Sequence, residues 1–452
     1  MIITNISRLI TMEPGPGREG PLGVIRNASV EIKDGKIKKI TSNIRHSRES
    51  GNPAVSSGLD PDFRRGDGLR WHDMQILDAR GGVVVPGLID CHTHLVHAGD
   101  RLDEFAMRAR GATYGEIAVK GGGIMSTVRA TRSADEDELF NLAGRRANEM
   151  LSCGVTTVEV KSGYGLDLST ELKMLRVIKR LNKELPQEFV PTFLGAHTVP
   201  EGMSFPRKRE SSGCTGDPRL RGDDKLHVDD KRRYLALLIH EMLPAVAKER
   251  LAVFCDVFVE KIAFNKKEAE EIFRAAAKCG LKAKLHADQL SSCGGAALAA
   301  RLKAVSADHL EHITEKDIKA LARAGVVAVL IPSSTFFIRG RYAPARKLIK
   351  AGVKVAVSTD YNPGTSPILN LWLSAAMSVA QMKLTPEEAY AGITVNAARA
   401  LGLHKTHGSI SVGKVADVVI LDTKNEFEPL YRFDKLFVSK VIKKGKLVCT
   451  TR

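Results

Sequence analysis

Between residues 83 and 360, eight short apolar runs rich in β-branched residues alternate with longer amphipathic segments. Runs of this kind are typical of buried strands, and the segments between them have the spacing of helices that bury one face. Repeated strand–helix units predict parallel strands, and eight units suit a closed barrel better than an open sheet. The predicted fold class is therefore α/β, a (β/α)8 TIM barrel with strands at residues 83–92, 156–163, 189–197, 253–260, 282–288, 304–311, 326–332 and 354–360.

Six side chains suited to catalysis or metal binding lie at or just beyond the C-terminal ends of these runs. In a barrel of parallel strands, those ends meet at the face that carries the active site. A single histidine is more often structural than functional, but chance is a poor explanation for six reactive side chains at one topological position. We therefore predict an active site at this face, built from His92, His94, His197, His286, His309 and Asp360.

The two ends of the chain have a different pattern. Residues 1–80 and 408–452 contain short alternating runs with Asp-Gly and Lys-Gly pairs, which favour tight β-hairpin turns. We predict a small β-sandwich domain, built from both termini and packed beside the barrel. The barrel domain is then expected to span residues 81–407.

Two polar segments, residues 45–73 and 204–226, interrupt this order. They are near copies of one another: RESGN and DPDFRRGD in the first correspond to RESSG and DPRLRGDD in the second. In residue pattern they resemble the translated remains of a mobile palindromic element. Because they lack helical and strand periodicity, we predict inserted surface loops that are disordered or loosely held, with an interaction arm as the alternative. The second follows His197 closely and could disturb substrate entry.

Composition narrows the function classes. The formal net charge is +16, but Lys and Arg are spread among Asp and Glu without an aromatic-interleaved basic stripe, so we expect no nucleic-acid partner. No long run of consecutive apolar residues predicts a membrane span, and the N-terminus lacks the pattern of a secretory signal. The seven cysteines contain no C-x-x-C pair and are expected to be reduced, which favours a cytoplasmic location.

A metal site is predicted at the barrel mouth. The motif DCHTH (90–94) places His92 and His94 two residues apart on one strand, so both imidazoles can face one metal. His286 of KLHAD offers a third nitrogen, and Asp360 of STDYNPGTSP offers a carboxylate oxygen. Three imidazoles and one carboxylate suit Zn²⁺ or Fe²⁺ better than Mg²⁺ or Ca²⁺. We predict one divalent metal, Zn or Fe, which activates water to hydroxide while Asp360 accepts the proton.

Two further residues bear on this chemistry. His309 of SADHLE lies on the strand after His286, where it can polarise the group under attack or carry a proton. Lys161 of VEVKSGYG also lies at a strand end, and a carbamylated lysine there would bridge two metals. Its strand is early in the barrel for that role, so a single metal is favoured and a second stays an alternative.

Longer motifs make the chain resemble the imidazolonepropionase family of amidohydrolases over nearly all of its length outside the two insertions. PGLIDCHTHLVHAGDR and the aspartate of STDYNPGTSP fit amidohydrolases in general, whereas KSGYGLD, LGAH and HADQ are more specific to this family. The resemblance implies a metal-dependent hydrolase of non-peptide C–N bonds in cyclic amides and amidines. It implies in particular the opening of 4-imidazolone-5-propanoate to N-formimidoyl-L-glutamate in histidine degradation.

The resemblance also implies roles for individual residues. Metal ligation would fall to His92, His94, His286 and Asp360, and catalysis to His309, Asp360 and Gln289. His309 would stabilise the developing oxyanion and Asp360 would deliver the proton. Gln289 would hydrogen-bond the ring but, unlike the glutamate of some relatives, cannot act as a general base. The substrate would be bound by Arg101, which holds its propionate, and by Tyr164, His197, Gln289, Asn362, Gly364 and Thr365.

Two other interpretations stay open at this point. A related hydrolase or deaminase of cyclic amidines, such as a guanine-deaminase-like enzyme, would share the metal ligands, but Arg101, Tyr164 and His197 argue for a substrate that carries a carboxylate. A non-enzymatic scaffold on the same fold is expected to have lost metal ligands, and all four are present. Whether the chain is an imidazolonepropionase-like hydrolase or a related deaminase, its expected partner is a small-molecule substrate. A homodimer is expected by analogy alone.

Overall fold

The structure is a computed structural model that describes residues 1–42, 75–112, 122–200 and 222–451. The first predicted insertion, 45–73, lies outside the described residues, as does the second up to residue 221. The last five residues of the second insertion, 222–226, belong to a helix that begins at Gly222. For these residues the prediction of a loop is wrong, because they form the first turn of the helix that continues into the barrel domain.

The strands of the described residues form two sheets, one from the middle of the chain and one from its ends. In chain order they are β1 (Ile2–Ile10), β2 (Val24–Lys33), β3 (Lys36–Ser42), β4 (Ile76–Asp78), β5 (Val83–Pro86), β6 (Leu88–Asp90), β7 (Val155–Lys161), β8 (Glu188–Ala196), β9 (Phe254–Val259), β10 (Lys282–Ala287), β11 (Ser306–His309), β12 (Val327–Leu330), β13 (Val355–Val357), β14 (Val418–Leu421), β15 (Val438–Lys443) and β16 (Lys446–Thr450).

The helices lie mostly between the strands of the barrel. They are α1 (Leu102–Ala109), α2 (Ile124–Ser133), α3 (Glu136–Ser152), α4 (Leu168–Glu184), α5 (Gly222–Leu237), α6 (Leu243–Lys248), α7 (Lys266–Lys278), α8 (Gly295–Leu302), α9 (Glu315–Ala324), α10 (Pro332–Phe337), α11 (Ala345–Lys350), α12 (Leu371–Met382), α13 (Pro386–Gly392), α14 (Val395–Ala400) and α15 (Glu428–Tyr431), with a π-helical turn at Leu238–Met242. Asn265 starts α7 with a capping box, and Thr314 caps α9. No helix of the described residues is both long and apolar enough to span a membrane.

Strands β6 to β13 form the predicted barrel, with each strand parallel to the next. The first and last strands meet through their C-terminal extensions. The amide of Asp360 donates to the carbonyl of His92 over 3.0 Å, and the amide of His94 donates to the carbonyl of Tyr361 over 2.9 Å. The segments that carry His92, His94 and Asp360, three of the four predicted metal ligands, therefore also join the two ends of the barrel sheet.

The first apolar run, 83–92, is divided between the two sheets, which corrects our prediction of one barrel strand. Strand β5 pairs with β1 and β14 of the small domain, whereas β6 pairs with β7 of the barrel. The chain crosses at Gly87 and enters the barrel at Leu88 rather than at residue 81. Both halves of the run are buried, which is why the sequence reads as one apolar stretch.

Both chain ends build the small β-domain, as predicted. Strands β2 and β3 are joined at Asp34-Gly35 and strands β15 and β16 at Lys444-Gly445, and all four turn residues have positive φ. We predicted a β-sandwich; the described strands hydrogen-bond in one mixed sheet, in the order β16-β15-β14-β5-β1-β2-β3, with β4 also paired to β1. Side chains of this sheet, including Ile3, Val84 and Ile420, pack together in an apolar cluster.

Gly87 offers a test of how tightly the chain passes from one domain to the other. A Cβ at this position would lie 2.4 Å from Thr156 Oγ1 and 2.9 Å from Asp417 Cβ, so the neighbouring strands would have to shift. Gly87→Ala is expected to lower the free energy of unfolding by about 1–3 kcal/mol, the usual effect of overpacking. Denaturant unfolding of the purified protein measures this change.

Gly144→Ala is the matched control for that substitution. Gly144 lies within α3, and nothing lies within 4 Å of a Cβ added there. This alanine is expected to stabilise the protein by about 0.5–1 kcal/mol because glycine disfavours a helix interior. Equal effects of the two substitutions would show that the crossing at Gly87 is not tightly packed.

Candidate active site and metal centre

The four predicted metal ligands come together at the C-terminal face of the barrel. The ligand atoms of His92, His94 and His286 all lie within 4.8 Å of one another, and the same is true of His92, His309 and Asp360. The Oδ1 atom of Asp360 lies 3.4 Å from Nε2 of His92 and 3.4 Å from Nε2 of His94. All of these side chains are buried. Residues from four strand ends thus converge on one small volume.

The ring of His92 is oriented from one side and lacks a hydrogen-bond partner on the other. Its Nδ1 atom lies 2.6 Å from Oδ2 of Asp308, which fixes the ring. Its Nε2 atom is buried without a hydrogen-bond partner. Burial lowers the pKa of His92, but the nearby carboxylates of Asp308 and Asp360 raise it to about 9. A cation between His92 and Asp360 would give this unpartnered Nε2 atom a bonding partner. The residues therefore fit a metal ion.

The ring of His286 also lies next to a buried carboxylate, that of Asp256. The Oδ2 atom of Asp256 lies 2.9 Å from Nδ1 of His286, while Oδ1 accepts a hydrogen bond of 3.1 Å from the His286 amide. A carboxylate behind a histidine fixes the ring and makes its other nitrogen a better metal ligand. Asp256 and Asp308 therefore lie where carboxylates that orient metal-binding histidines are expected to lie.

Lys161 forms ion pairs with both of these carboxylates. Its Nζ atom lies 2.8 Å from Asp256, 2.9 Å from Glu159 and 3.6 Å from Asp308, and the side chain is fully buried. Burial alone lowers the pKa of Lys161, but the three carboxylates raise it above its ordinary value. Carbamylation requires a neutral amine, so a lysine held as an ammonium in this network favours the one-metal site over the two-metal alternative.

His309 lies beside the ligand cluster on a strained stretch of backbone. Its ring centroid is 5.2 Å from that of His286 and 5.4 Å from that of His92. Both His309 and Leu310 have positive φ angles, 77° and 70°, which are costly for residues with a side chain. Asp360, at the end of the last strand, also has a positive φ, of 51°. Such strain is common where a side chain is held in place for function.

A cavity of about 530 Å³ opens beside the cluster. Its wall includes six of the seven predicted substrate-binding residues, namely Arg101, Tyr164, His197, Gln289, Asn362 and Thr365. Gly364, the seventh, lies behind this wall in contact with Arg101. A Cβ at Gly364 would be 2.0 Å from Nη1 of Arg101, so only glycine allows the guanidinium this position. The structure thus brings all the predicted site residues except His92 and Gly364 to the wall of one cavity.

The aromatic wall of the cavity is uncharged. Burial raises the pKa of the Tyr164 hydroxyl and lowers that of His197, so both are neutral near pH 7. Nδ1 of His197 donates to the carbonyl of Gly163 over 3.0 Å, which leaves Nε2 as an acceptor. The His197 ring stacks on that of His94 at 5.1 Å. The loop of Tyr164 is held by Glu171, whose carboxylate accepts from the amides of Gly163, Gly165 and Leu166.

Two of the predicted substrate-contacting residues lie in loops that are themselves well organised. The side chain of Asn362 bonds within its own loop, accepting from the amides of Gly364 and Thr365 and donating to the carbonyl of Asp360. The residues that flank Gln289 are held by hydrogen bonds. The side chain of Asp288 accepts hydrogen bonds from four backbone amides, and that of Glu260 accepts hydrogen bonds from the amides of Leu290 and Ser291. These bonds fix both loops at the cavity wall before any ligand binds.

Our sequence analysis missed the residues that support the site. Asp256 and Asp308 lie inside apolar strands, and a carboxylate in such a run could have been read as a buried partner for a histidine or lysine. Glu104 and Arg108 of α1 lie at the cavity wall. Nothing in the sequence marks them, because Asp103 of the same helix and Arg110 just after it are charged as well.

Comparison with known proteins agrees with this geometry. Residues 83–448 match the model of the amidohydrolase family. Similar folds include an adenosine deaminase from Xanthomonas campestris with bound Zn, at a TM-score of 0.66, 19% identity and coverage of 99% of this chain and 92% of that one. A 5-methylcytosine deaminase from Klebsiella pneumoniae has a TM-score of 0.68 at 16% identity, with coverage of 100% and 98%. These likenesses show the fold; fold, family match and candidate metal site together define a metal-dependent hydrolase of the amidohydrolase class.

Relatives with higher sequence identity indicate the family within this class. An imidazolonepropionase from Shewanella sp. (strain ANA-3) is 43% identical over 434 residues, which cover 96% of each chain. One from Alkaliphilus metalliredigens is 41% identical over 455 residues, covering 99% of this chain and 97% of the relative. The chain therefore belongs to the imidazolonepropionase family of amidohydrolases.

The role of Asp308 can be tested through metal affinity. Asp308→Asn removes the charge behind His92 and is expected to weaken metal binding by about 10–100-fold, as losses of such orienting groups do. Asp256→Asn, behind His286, is expected to act in the same direction. The measurement is competition for the metal between each protein and a chelator of known affinity.

Asp103→Asn is the control, because Asp103 is an exposed residue of α1. Its metal affinity is expected to equal that of the unsubstituted protein. Wild-type affinity in both Asp308→Asn and Asp256→Asn would contradict the orienting role. The unfolding temperature of each metal-free variant separates a specific loss of affinity from a general loss of structure.

Proposed function

We propose that this chain hydrolyses the ring C–N bond of 4-imidazolone-5-propanoate, a cyclic amide, to give N-formimidoyl-L-glutamate in histidine degradation. The observation that carries the proposal is the combination of a histidine-rich cluster and an arginine on the walls of one cavity. A neutral purine has no carboxylate to pair with the charge of that arginine. A ring with a carboxylate side chain matches both parts of the site, and the family relationship supports the same substrate.

The proposed metal is Zn or Fe, held by His92, His94, His286 and Asp360. The donor set of three nitrogens and one carboxylate oxygen supports either metal. When bound, such a metal lowers the pKa of water to about 7 and polarises a carbonyl group. Asp256 and Asp308 orient the two histidines they contact, and the charged Lys161 argues for a single metal.

Arg101 is proposed to bind the propionate of the substrate. Its Nε and Nη2 atoms donate to Oε2 of Glu104 over 2.8 and 2.6 Å, which holds the guanidinium against Gly364. A planar guanidinium is suited to bind a carboxylate through two parallel hydrogen bonds. Tyr164, His197, Gln289, Asn362, Gly364 and Thr365 complete the proposed substrate site. Neutral side chains on that wall suit the uncharged imidazolone ring.

His309, Asp360 and Gln289 are proposed as the catalytic residues. Asp360 accepts the proton of the attacking water and passes it to the ring nitrogen as the C–N bond breaks. His309, buried beside the ligand cluster, stabilises the negative charge that develops on the carbonyl oxygen. Gln289 hydrogen-bonds the ring and cannot take a proton. The predicted homodimer and cytoplasmic location accompany this proposal and stay predictions.

The deciding experiment measures loss of freshly prepared 4-imidazolone-5-propanoate by ultraviolet absorbance. The purified protein should turn over this compound, lose activity when a chelator removes the metal, and regain it when Zn²⁺ or Fe²⁺ is restored. Arg101→Ala is expected to raise KM by about 10–100-fold, because a charge-assisted hydrogen bond to the carboxylate is lost.

Controls exclude the competing interpretations. Guanine and other cyclic amidines without a carboxylate are expected to be inert. Arg110→Ala, at an exposed residue at the opposite end of α1 from Arg101, is expected to keep the wild-type KM. A folded, metal-loaded protein that leaves 4-imidazolone-5-propanoate unchanged would contradict the proposal. Turnover of a purine in its place would favour a deaminase.

A further inference from the structure

Arg108 lies beside Arg101 at the wall of the substrate cavity, and no role has been given to it so far. Both arginines belong to the segment around α1, and both line the cavity. Nη2 of Arg108 donates to the carbonyl of Gly364 over 2.8 Å, while Nη1 of Arg101 lies against the α-carbon of the same glycine. Two guanidinium groups therefore contact one residue of the loop that follows Asp360.

Among the described residues, the carboxylate that interacts with both guanidinium groups is that of Glu104. Oε2 of Glu104 accepts both hydrogen bonds of Arg101, and Oε1 accepts the amide of Gly123 over 2.7 Å. Arg108 makes no hydrogen bond to a carboxylate of the described residues, and its buried Nε has no partner. Arg101, Arg108 and Glu104 together therefore carry one net positive charge.

Arg108 also lies against a pair of aromatic rings. The ring of Phe337 lies 5.3 Å from its Cζ atom, and Phe105 stacks on Phe337 at 5.5 Å. Burial, followed by the charge of Arg101, lowers the pKa of Arg108. An unpartnered N–H group beside a like charge is unfavourable in the empty site. An anion in the cavity would remove both sources of unfavourable energy, and apolar walls would strengthen its attraction to the guanidinium.

We propose that Arg108 binds the side-chain carboxylate of the substrate together with Arg101, and so helps to select ring compounds with an anionic side chain. The inference rests on the proposed function for the identity of the ring, but the anion site is defined by Arg101, Arg108, Glu104 and Gly364. The simpler alternative is that Arg108 only holds the Gly364 loop in place through its hydrogen bond.

The test is a binding comparison that needs no turnover. The probes are imidazole-4-propanoate, which has no ring carbonyl to hydrolyse, and its primary amide, which lacks the negative charge. Dissociation constants of both are measured by calorimetry for the metal-loaded wild type, Arg108→Met and the exposed control Arg110→Met. Arg108→Lys is added as a variant that keeps the charge should Arg108→Met fold poorly, as judged by circular dichroism and metal content.

In Arg108→Met we expect the affinity for the carboxylate probe to fall by about 10–100-fold, the usual effect of losing a charged hydrogen-bond partner. The affinity for the amide probe should change by no more than about twofold, and Arg110→Met should match the wild type for both. Arg108→Lys should retain part of the preference for the carboxylate. With 4-imidazolone-5-propanoate, Arg108→Met should raise KM and leave kcat nearly unchanged, as expected for a residue that binds substrate and transition state alike.

Equal weakening of both probes in Arg108→Met would overturn the proposal, because it would show that Arg108 acts only on the position of the Gly364 loop. Unchanged affinity for both probes would overturn it as well. A wild type that prefers the carboxylate probe through Arg108, yet does not hydrolyse the imidazolone, would contradict the proposed function and leave this inference supported. A wild type that does not distinguish the two probes would contradict both.

Discussion

The buried ion network around Lys161 is the interaction on which the site depends. Lys161 and Lys284 lie among Glu159, Asp256 and Asp308, and the exposed fraction of all five side chains is 0%. Asp256 and Asp308 each use the same Oδ2 atom for Lys161 and for a histidine of the ligand cluster. The three carboxylates exceed the two ammonium groups by one charge, which suits a cation above them. Removing one member of such a buried network costs about 3–5 kcal/mol, so the cluster is expected to be rigid.

The barrel supplies this network and the ligands from the same strands. Side chains alternate along a strand, so Glu159 and Lys161 of β7 point to the same side and Ser306 and Asp308 of β11 do likewise. The C-terminal extensions of β6 and β13, which carry His92 and Asp360, are joined by backbone hydrogen bonds. Three of the four proposed metal ligands, His92, His94 and Asp360, therefore lie where the barrel closes. A bound metal would join first strand to last, and we expect metal binding and barrel stability to be coupled.

Much of the fold and of the site was accessible from sequence because the pattern is local. Apolar runs identified the eight barrel strands, and strand ends identified His92, His94, His286, His309 and Asp360. Sequence could not reveal that Gly87 divides one apolar run between two sheets, because burial of both halves gives the same pattern. It could not pair Lys161 with Asp256, 95 residues away, or His92 with Asp308, 216 residues away, because such partners are set by the order of strands in the barrel. The sequence likewise could not reveal the role proposed for Arg108, because that role depends on a loop 256 residues further along the chain.

The central claim is that this network supports one metal ion, bound by His92, His94, His286 and Asp360, with Lys161 as a charged partner of the carboxylates. Diffraction from crystals of the metal-loaded protein, recorded above and below the absorption edge of the metal, tests it most directly. We expect a single anomalous peak, about 2.0–2.2 Å from the nitrogen and oxygen atoms of these four residues, with His309 and Lys161 outside the coordination sphere. A second metal peak in contact with a modified Lys161, or a single peak from which Asp360 is absent, would contradict it.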